Sequence, residues 1–243
     1  MVAELRSEFR KLLTTRSTYL ITVLVALFVA LISFWPQGLL LNKDQLADPT
    51  QLANDIIGPL TVVGVMAGIV AILLMSNEYR HNTIMYTLTS TNKRLKVLAA
   101  KFIVISLYGI FFAALMGLVA PLFSIIGVHN AGHALGPQTI DYSSLVWRTL
   151  FAGWGFALMG LLLAVIIRNQ IGAIVSMLVI PLVAENALFP LLKKNTDFLP
   201  FHTLSGVLLP GHISIGASAW LFVLYAAVLS LVAALLFLKR DAN

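Results

Sequence analysis

The sequence predicts an all-α integral membrane protein with six transmembrane helices, and three observations predict it. Of its 243 residues, 59% are hydrophobic and 11% are charged, where an average soluble domain is about 25% charged. Six apolar runs approach or exceed the roughly 20 residues that a helix needs to cross a bilayer core: Tyr19–Leu40, Ile56–Met75, Phe102–Val128, Thr149–Ile167, Ile171–Leu192 and Ala217–Leu238. The Lys and Arg residues flank these runs unevenly. Twelve of the sixteen fall on the side that holds both termini, residues 77–101 and Arg168, and four (Lys43, Arg148, Lys193, Lys194) on the other. Cytoplasmic loops carry the excess of positive charge. The expectation is a multi-pass protein of the cell inner (plasma) membrane, a single transmembrane domain over 1–243, with both termini cytoplasmic.

Composition narrows the function. The chain has no cysteine, which excludes a disulfide framework, a thiolate nucleophile and a cysteine metal site. Its net charge of +6 gives no reason to expect nucleic acid, because the basic residues flank the spans as membrane topology requires.

Taken in order, residues 1–17 read as an interfacial helix. Val2, Leu5, Phe9, Leu12 and Leu13 share one helical face, and Glu4, Arg6, Glu8, Arg10 and Lys11 populate the rest. That is the pattern of an amphipathic helix in the inner interface. It suits either a lateral elbow bracing the bundle or a simple anchor. The basic start and first run imitate a signal peptide. No small-residue cleavage site follows Phe34-Trp35-Pro36, and five more runs come later, so the first run reads as a retained span.

Between the second and third spans lies Asn77–Lys101, NEYRHNTIMYTLTSTNKRLKVLAAK, with five basic residues. It is too long and too patterned for a turn. Ile84 and Leu88, four apart, lie on one helical face. Ser90, Thr91 or Asn92 can cap a second helix running into the third span. A short helix here would suit docking of a soluble partner; an amphipathic helix on lipid headgroups fits the residues as well. The third span contains Pro121, which predicts a kink or tilt. His129 and His133 are spaced for metal binding on a helix, but their surroundings are loop-like and the nearest carboxylate is Asp141, so a metal-free pair is expected.

The fourth and fifth spans are joined by Arg168-Asn169-Gln170 and must be antiparallel neighbours. Gly64 and Gly68 form a GxxxG, and Gly153, Gly155 and Gly160 crowd the fourth span; small residues permit close helix contact in lipid. Glu185, within Pro181-Leu-Val-Ala-Glu-Asn186, is an ionisable residue inside the fifth span. A charge near the bilayer centre costs about 2.5–3.5 kcal/mol on insertion scales, so such residues are usually partnered. A pore-lining or gate carboxylate and a structural hydrogen bond both remain open, and Pro181 is expected to bend the helix. The outer connection Lys193–Gly216 is apolar and broken by Pro200, Pro210 and glycines. Irregular backbone at membrane depth survives only under cover, so an outer re-entrant segment suits this composition, with a packed surface loop as the alternative.

No nucleotide site is legible. Gly211–Ser218 has two glycines at P-loop spacing, but Ala217 stands where a phosphate-gripping lysine is required. The chain is therefore not expected to be an enzyme.

These residues together resemble an ABC-2-type exporter permease, the membrane subunit of a bacterial ABC transporter. The resemblance rests on the basic amphipathic start before six spans, on EYRHNT at Glu78–Thr83 followed by KRLKVLAAK at Lys93–Lys101, and on PLVAEN in the fifth span. Asn82 departs from the glycine usual there. The resemblance implies a cytoplasmic coupling helix in the 77–101 loop, with Glu78, Tyr79, Arg80, Ile84, Met85 and Leu88 contacting a separate ABC ATPase subunit. It implies a second permease copy, in a homodimer or heterodimer, and an outer gate. ATP and Mg would be bound by the partner ATPase, with no cofactor in this chain. Alternatives of other classes are an ion-gradient-driven carrier or channel and a non-transporting immunity or signalling membrane protein. The first of these calls for internal repeats and midplane polar residues, and neither is clear.

Overall fold

The computed structural model describes residues 2–39, 49–80, 94–130, 142–209 and 211–239, and no strand occurs among them. An amphipathic helix α1 (Val2–Thr14) turns at Thr15 into α2 (Arg16–Leu39). Then come α3 (Pro49–Arg80), α4 (Arg94–Asn130) and α5 (Tyr142–Ile167). The fifth apolar run begins as α6 (Gln170–Val179), widens into a π-helical turn (Ile180–Ala184), and continues as the short helices α7 (Glu185–Ala187) and α8 (Phe189–Leu192). A 3-10 stretch (Lys193–Phe198), the nine-residue α9 (Pro200–Leu208) and α10 (Ile215–Lys239) complete the order.

Six helical stretches are long and apolar enough to cross a membrane, and they coincide with the six expected runs. Their limits differ from the sequence reading where polar residues continue a helix. The second does not end at Met75; α3 runs on to Arg80. The third does not begin at Phe102; α4 starts at Arg94, and Pro121 lies within its 37 residues. A helix of that length measures about 55 Å at 1.5 Å per residue, well beyond the roughly 30 Å hydrocarbon core. The loop expected over 77–101 thus gives up both flanks to the spans. Apolar windows mark span ends too early because a helix does not stop where it leaves lipid.

The core sits between α3 and α5. In their spanning stretches 61% and 67% of residues are buried, against 17–22% in the first, fifth and sixth. The glycines make the close contact. A Cβ on Gly160 would meet the Gly68 carbonyl, and one on Gly109 of α4 would stand 2.7 Å from the Gly153 carbonyl oxygen of α5. Ile72, Met75, Phe112, Met116, Phe156, Leu161 and Leu162 fill the space around them.

The turn between α5 and α6 places them as adjacent antiparallel neighbours, as its length predicts. Arg168 takes the left-handed conformation (φ 55°). Asn169 caps α6, its side-chain oxygen accepting from the Gly172 N–H at 3.0 Å.

Candidate functional site

The first polar constellation lies at the end of the bundle that holds α1, the α3–α4 connection and the α5–α6 turn. The sequence reading gave α1 a polar face that includes Glu8. The structure turns one residue of that face inward: Glu8 is buried, while Arg6 and Arg10 of the same face, and apolar Val2, Phe9 and Leu13, are exposed. Its partner is Lys101 of α4, whose side chain is 2% exposed. The Lys101 ammonium donates to Glu8 Oε2 at 2.9 Å and to Glu78 Oε1 at 2.5 Å. Lys11 donates to Glu8 Oε1 at 2.7 Å and to Glu78 Oε1 at 2.7 Å. Two carboxylates and two ammonium groups thus join α1, the last turn of α3 and the first turns of α4 in a neutral set. Partial burial pulls the Lys11 pKa down, but its bonds to Glu78 and Glu8 outweigh that and hold it above the ordinary lysine value.

Tyr79, next to Glu78, lies under Arg168 of the α5–α6 turn, with the guanidinium carbon 5.6 Å from the ring centroid. Such cation–π contacts contribute about 0.5–1 kcal/mol when exposed. An open cleft of about 520 Å³ is lined here by Ser76, Tyr79, Arg168, Asn169, Gln170 and Ile171. Of the six residues expected to meet a partner, Glu78 and Tyr79 are brought together with α1, α4 and the α5–α6 turn. Arg80 ends α3. Ile84, Met85 and Leu88 lie outside the described residues, as does His133; His129 is exposed in the last turn of α4.

The second constellation lies toward the opposite end and is built around α9. Glu185 is 3% exposed. Its Oε1 accepts from the Phe201 N–H at 2.9 Å and its Oε2 from the His202 N–H at 2.8 Å. These are donors in the first turn of α9, where no intrahelical acceptor exists. Leu199 at the N-cap supplies no side-chain acceptor, and Pro200 begins the helix. At the other end of α9, Arg148 of α5 donates through Nε to the Val207 carbonyl at 2.8 Å and through Nη2 to the Leu208 carbonyl. Arg148 is itself buried.

Between these ends α9 buries Phe201, Thr203, Leu204, Val207 and Leu208 against α5 and α10. Phe201 lies 6.2 Å from Phe156, centroid to centroid. Gly155 leaves room for Leu204 and Phe222; a Cβ there would stand 2.5 Å from Leu204 Cδ1. The hydroxyl of Tyr225 on α10 donates to the Phe198 carbonyl at 2.7 Å, tying down the approach to α9. The bonds of Glu185 thus go to backbone N–H groups of the segment that holds α9 rather than to a spanning helix. Pro181 lies in the π-helical turn, where Asn186 Nδ2 donates to the Pro181 and Leu182 carbonyls at 3.0 and 3.1 Å.

Sequence reasoning missed Arg148, Glu8 and Lys101. The first and last entered only as topology charges. Glu8 and Lys11 stand three apart on a helix, a visible pairing signal, but their partners lie across the fold.

The family model described as ABC-2 family transporter protein matches residues 4–190. The match takes in the four-charge set and Glu185, and ends before α9. No curated protein matches the chain.

Proposed function

The chain belongs to the ABC-2 transporter family, and from that premise we propose that it is the membrane-spanning permease subunit of an ATP-driven exporter. Two copies, or this chain with a similar permease, would form the translocation pathway. Separate ATPase subunits would bind the ATP and Mg. The charge asymmetry supports cytoplasmic termini, which puts the Glu8–Lys11–Glu78–Lys101 set on the ATPase side and α9 on the outer side.

One observation carries the coupling part of the reading. Residues 81–93 connect α3 to α4, and both flanks of that connection are tied by Glu78 and Lys101 to each other and to α1. A push on this connection would reach three helices through one buried set of charges. Ile84, Met85 and Leu88 would enter a groove of the ATPase, each contributing about 1.5–3 kcal/mol if fully buried. The Tyr79–Arg168 cleft would extend the docking face to the α5–α6 turn. The outer segment that holds α9 would form the external gate.

The test is co-purification with an ABC ATPase encoded beside this chain. Ile84→Ser/Leu88→Ser should lower its affinity for the ATPase by about two to four decades, at roughly 1.4 kcal/mol each, with membrane insertion unchanged. Normal ATPase capture by the double variant would remove the docking role. Transport by a lone subunit without ATP would remove the permease reading.

A further inference from the structure

We infer that Glu185 and Arg148 are a pair of positioning residues that fix α9 through its two ends rather than through each other, and that the Glu185 end is the one that releases. The inference rests on the reading of the outer segment as the gate.

A nine-residue helix is too short to be stable alone in water. Near lipid, its terminal N–H and C=O groups must find partners within the protein. Here each end is met by a buried side chain of the sign that the helix dipole favours, an acid at the N-terminus and a base at the C-terminus. The two charges are separated by roughly the length of α9, about 13 Å at 1.5 Å per residue, so they do not form an ion pair. Their effect runs through the peptide groups between them, and reversing the chain direction of α9 would turn both contacts repulsive.

The two anchors differ in what holds them. Arg148 belongs to α5, the most buried spanning helix, and spreads one guanidinium over two consecutive carbonyls. Glu185 directly follows the π-helical turn, whose Leu182, Val183 and Ala184 are exposed and whose Pro181 has no N–H to donate. A π-helical turn carries a residue more than an α-helical one. Returning it to α-helical winding rotates Glu185 about the axis of α6 by about 100°, one residue of a 3.6-residue turn, with residues 188–199 taking up the change before α9. That rotation withdraws the carboxylate from Phe201 and His202 and leaves the Arg148 contacts intact. Opening therefore begins at the N-terminal end of α9 and hinges at its C-terminal end.

The natural chain has no cysteine, so single thiols report cleanly. Thr203→Cys and Val207→Cys sit near opposite ends of α9 at fully buried positions, and Ala164→Cys is a buried control in α5. In the whole purified protein all three should react slowly with a maleimide. Glu185→Gln keeps one acceptor oxygen and turns an amide donor toward an N–H. It should speed labelling at 203 at least tenfold while 207 and 164 stay protected. Arg148→Gln should expose 207 as well. The swap Glu185→Arg/Arg148→Glu should expose both ends faster than either single variant.

Restored protection in the swap would mean a direct ion pair and overturn the inference. So would unchanged labelling in every variant, or exposure of the 164 control together with 203. Should Glu185→Gln not fold, Glu185→Asp retains the carboxylate at shorter reach and must raise labelling at 203 selectively, or the inference fails. None of these measurements needs ATPase or transport. A failed permease reading leaves them standing, and a failed clamp leaves the permease reading untouched.

Discussion

Replacing Lys101 by Met is the most informative single change at the first constellation. Its side chain is 2% exposed and lies against Glu8 and Glu78, which are 10% and 6% exposed. The four charges of the set sum to zero. Removing the Lys101 ammonium leaves the two buried carboxylates of the set with one ammonium of the set, that of Lys11, whose side chain is 38% exposed. Truncating one member of a buried ion pair costs about 3–5 kcal/mol, because the other charge stays buried without compensation. Glu78→Gln should cost a similar amount for the opposite reason, two ammonium groups facing one carboxylate. The double variant leaves Glu8 and Lys11 as a neutral pair with their 2.7 Å contact. It should therefore cost less than the sum of the singles, by about 2–3 kcal/mol, the upper range of coupling between contacting residues. Loss of helicity along an SDS titration in mixed micelles measures all four proteins. Additivity within about 0.5 kcal/mol, the behaviour of independent sites, would refute a shared buried set. So would a Lys101→Met cost below about 1 kcal/mol, the worth of an exposed pair.

The same geometry sets further expectations. Gly160→Ala forces a methyl group against the Gly68 carbonyl and should destabilise by about 1–3 kcal/mol, the usual cost of overpacking. Gly216→Ala, with nothing within 4 Å of the new carbon, should be neutral or slightly stabilising in the same titration. Asn169→Ala removes the α6 cap and should cost about 1 kcal/mol. The raised Lys11 pKa means that its contribution is complete below the ordinary lysine value near 10.4 and is lost only as pH rises through the higher folded value. The stability difference between wild type and Lys11→Met should thus stay constant from about pH 6 to 9; a marked fall across that window would contradict it. Cysteines at positions 45 and 134 should label from outside intact cells and one at 92 should not; labelling at 92 would overturn the proposed topology.

The six spans were legible because an apolar run of sufficient length has few alternatives in a membrane. Their ends were not, since Ser76–Arg80 and Arg94–Lys101 look like loop by composition yet continue α3 and α4. The inward turn of Glu8 was hidden for a related reason. A helical wheel divides residues into apolar and polar, but a helix at the membrane surface has two apolar-compatible directions, lipid and bundle. Here Val2, Phe9 and Leu13 are exposed, and the bundle offers Glu8 the Lys101 ammonium. Glu185 could be singled out because a lone acid in a span needs an explanation. Its partners could not, being backbone N–H groups, which carry no sequence signal.

Those hidden partners explain why the charges occur at all. In lipid, apolar surface gains little by facing another helix rather than an acyl chain. Apolar packing around α3 and α5 therefore specifies where helices lie more weakly than it would in water. Small residues set the distance of approach, as Gly68 and Gly160 do, but allow sliding by a turn. A buried acid that must meet a particular base, or a particular pair of N–H groups, does not allow it. The Lys101 contacts fix the heights of α1, α3 and α4 against one another. The Glu185 and Arg148 contacts fix α9 against α5 and the fifth span. Each set is polar where the environment penalises polarity, so an alternative register strands a charge and loses several kcal/mol. A chain with 11% charged residues thus concentrates register information in very few of them. The test of that view is the pattern of damage: neutralising Lys101 should disturb register among α1, α3 and α4, seen as shifted cysteine cross-links between them, while an apolar truncation such as Ile72→Val should lower stability and leave the cross-links in place.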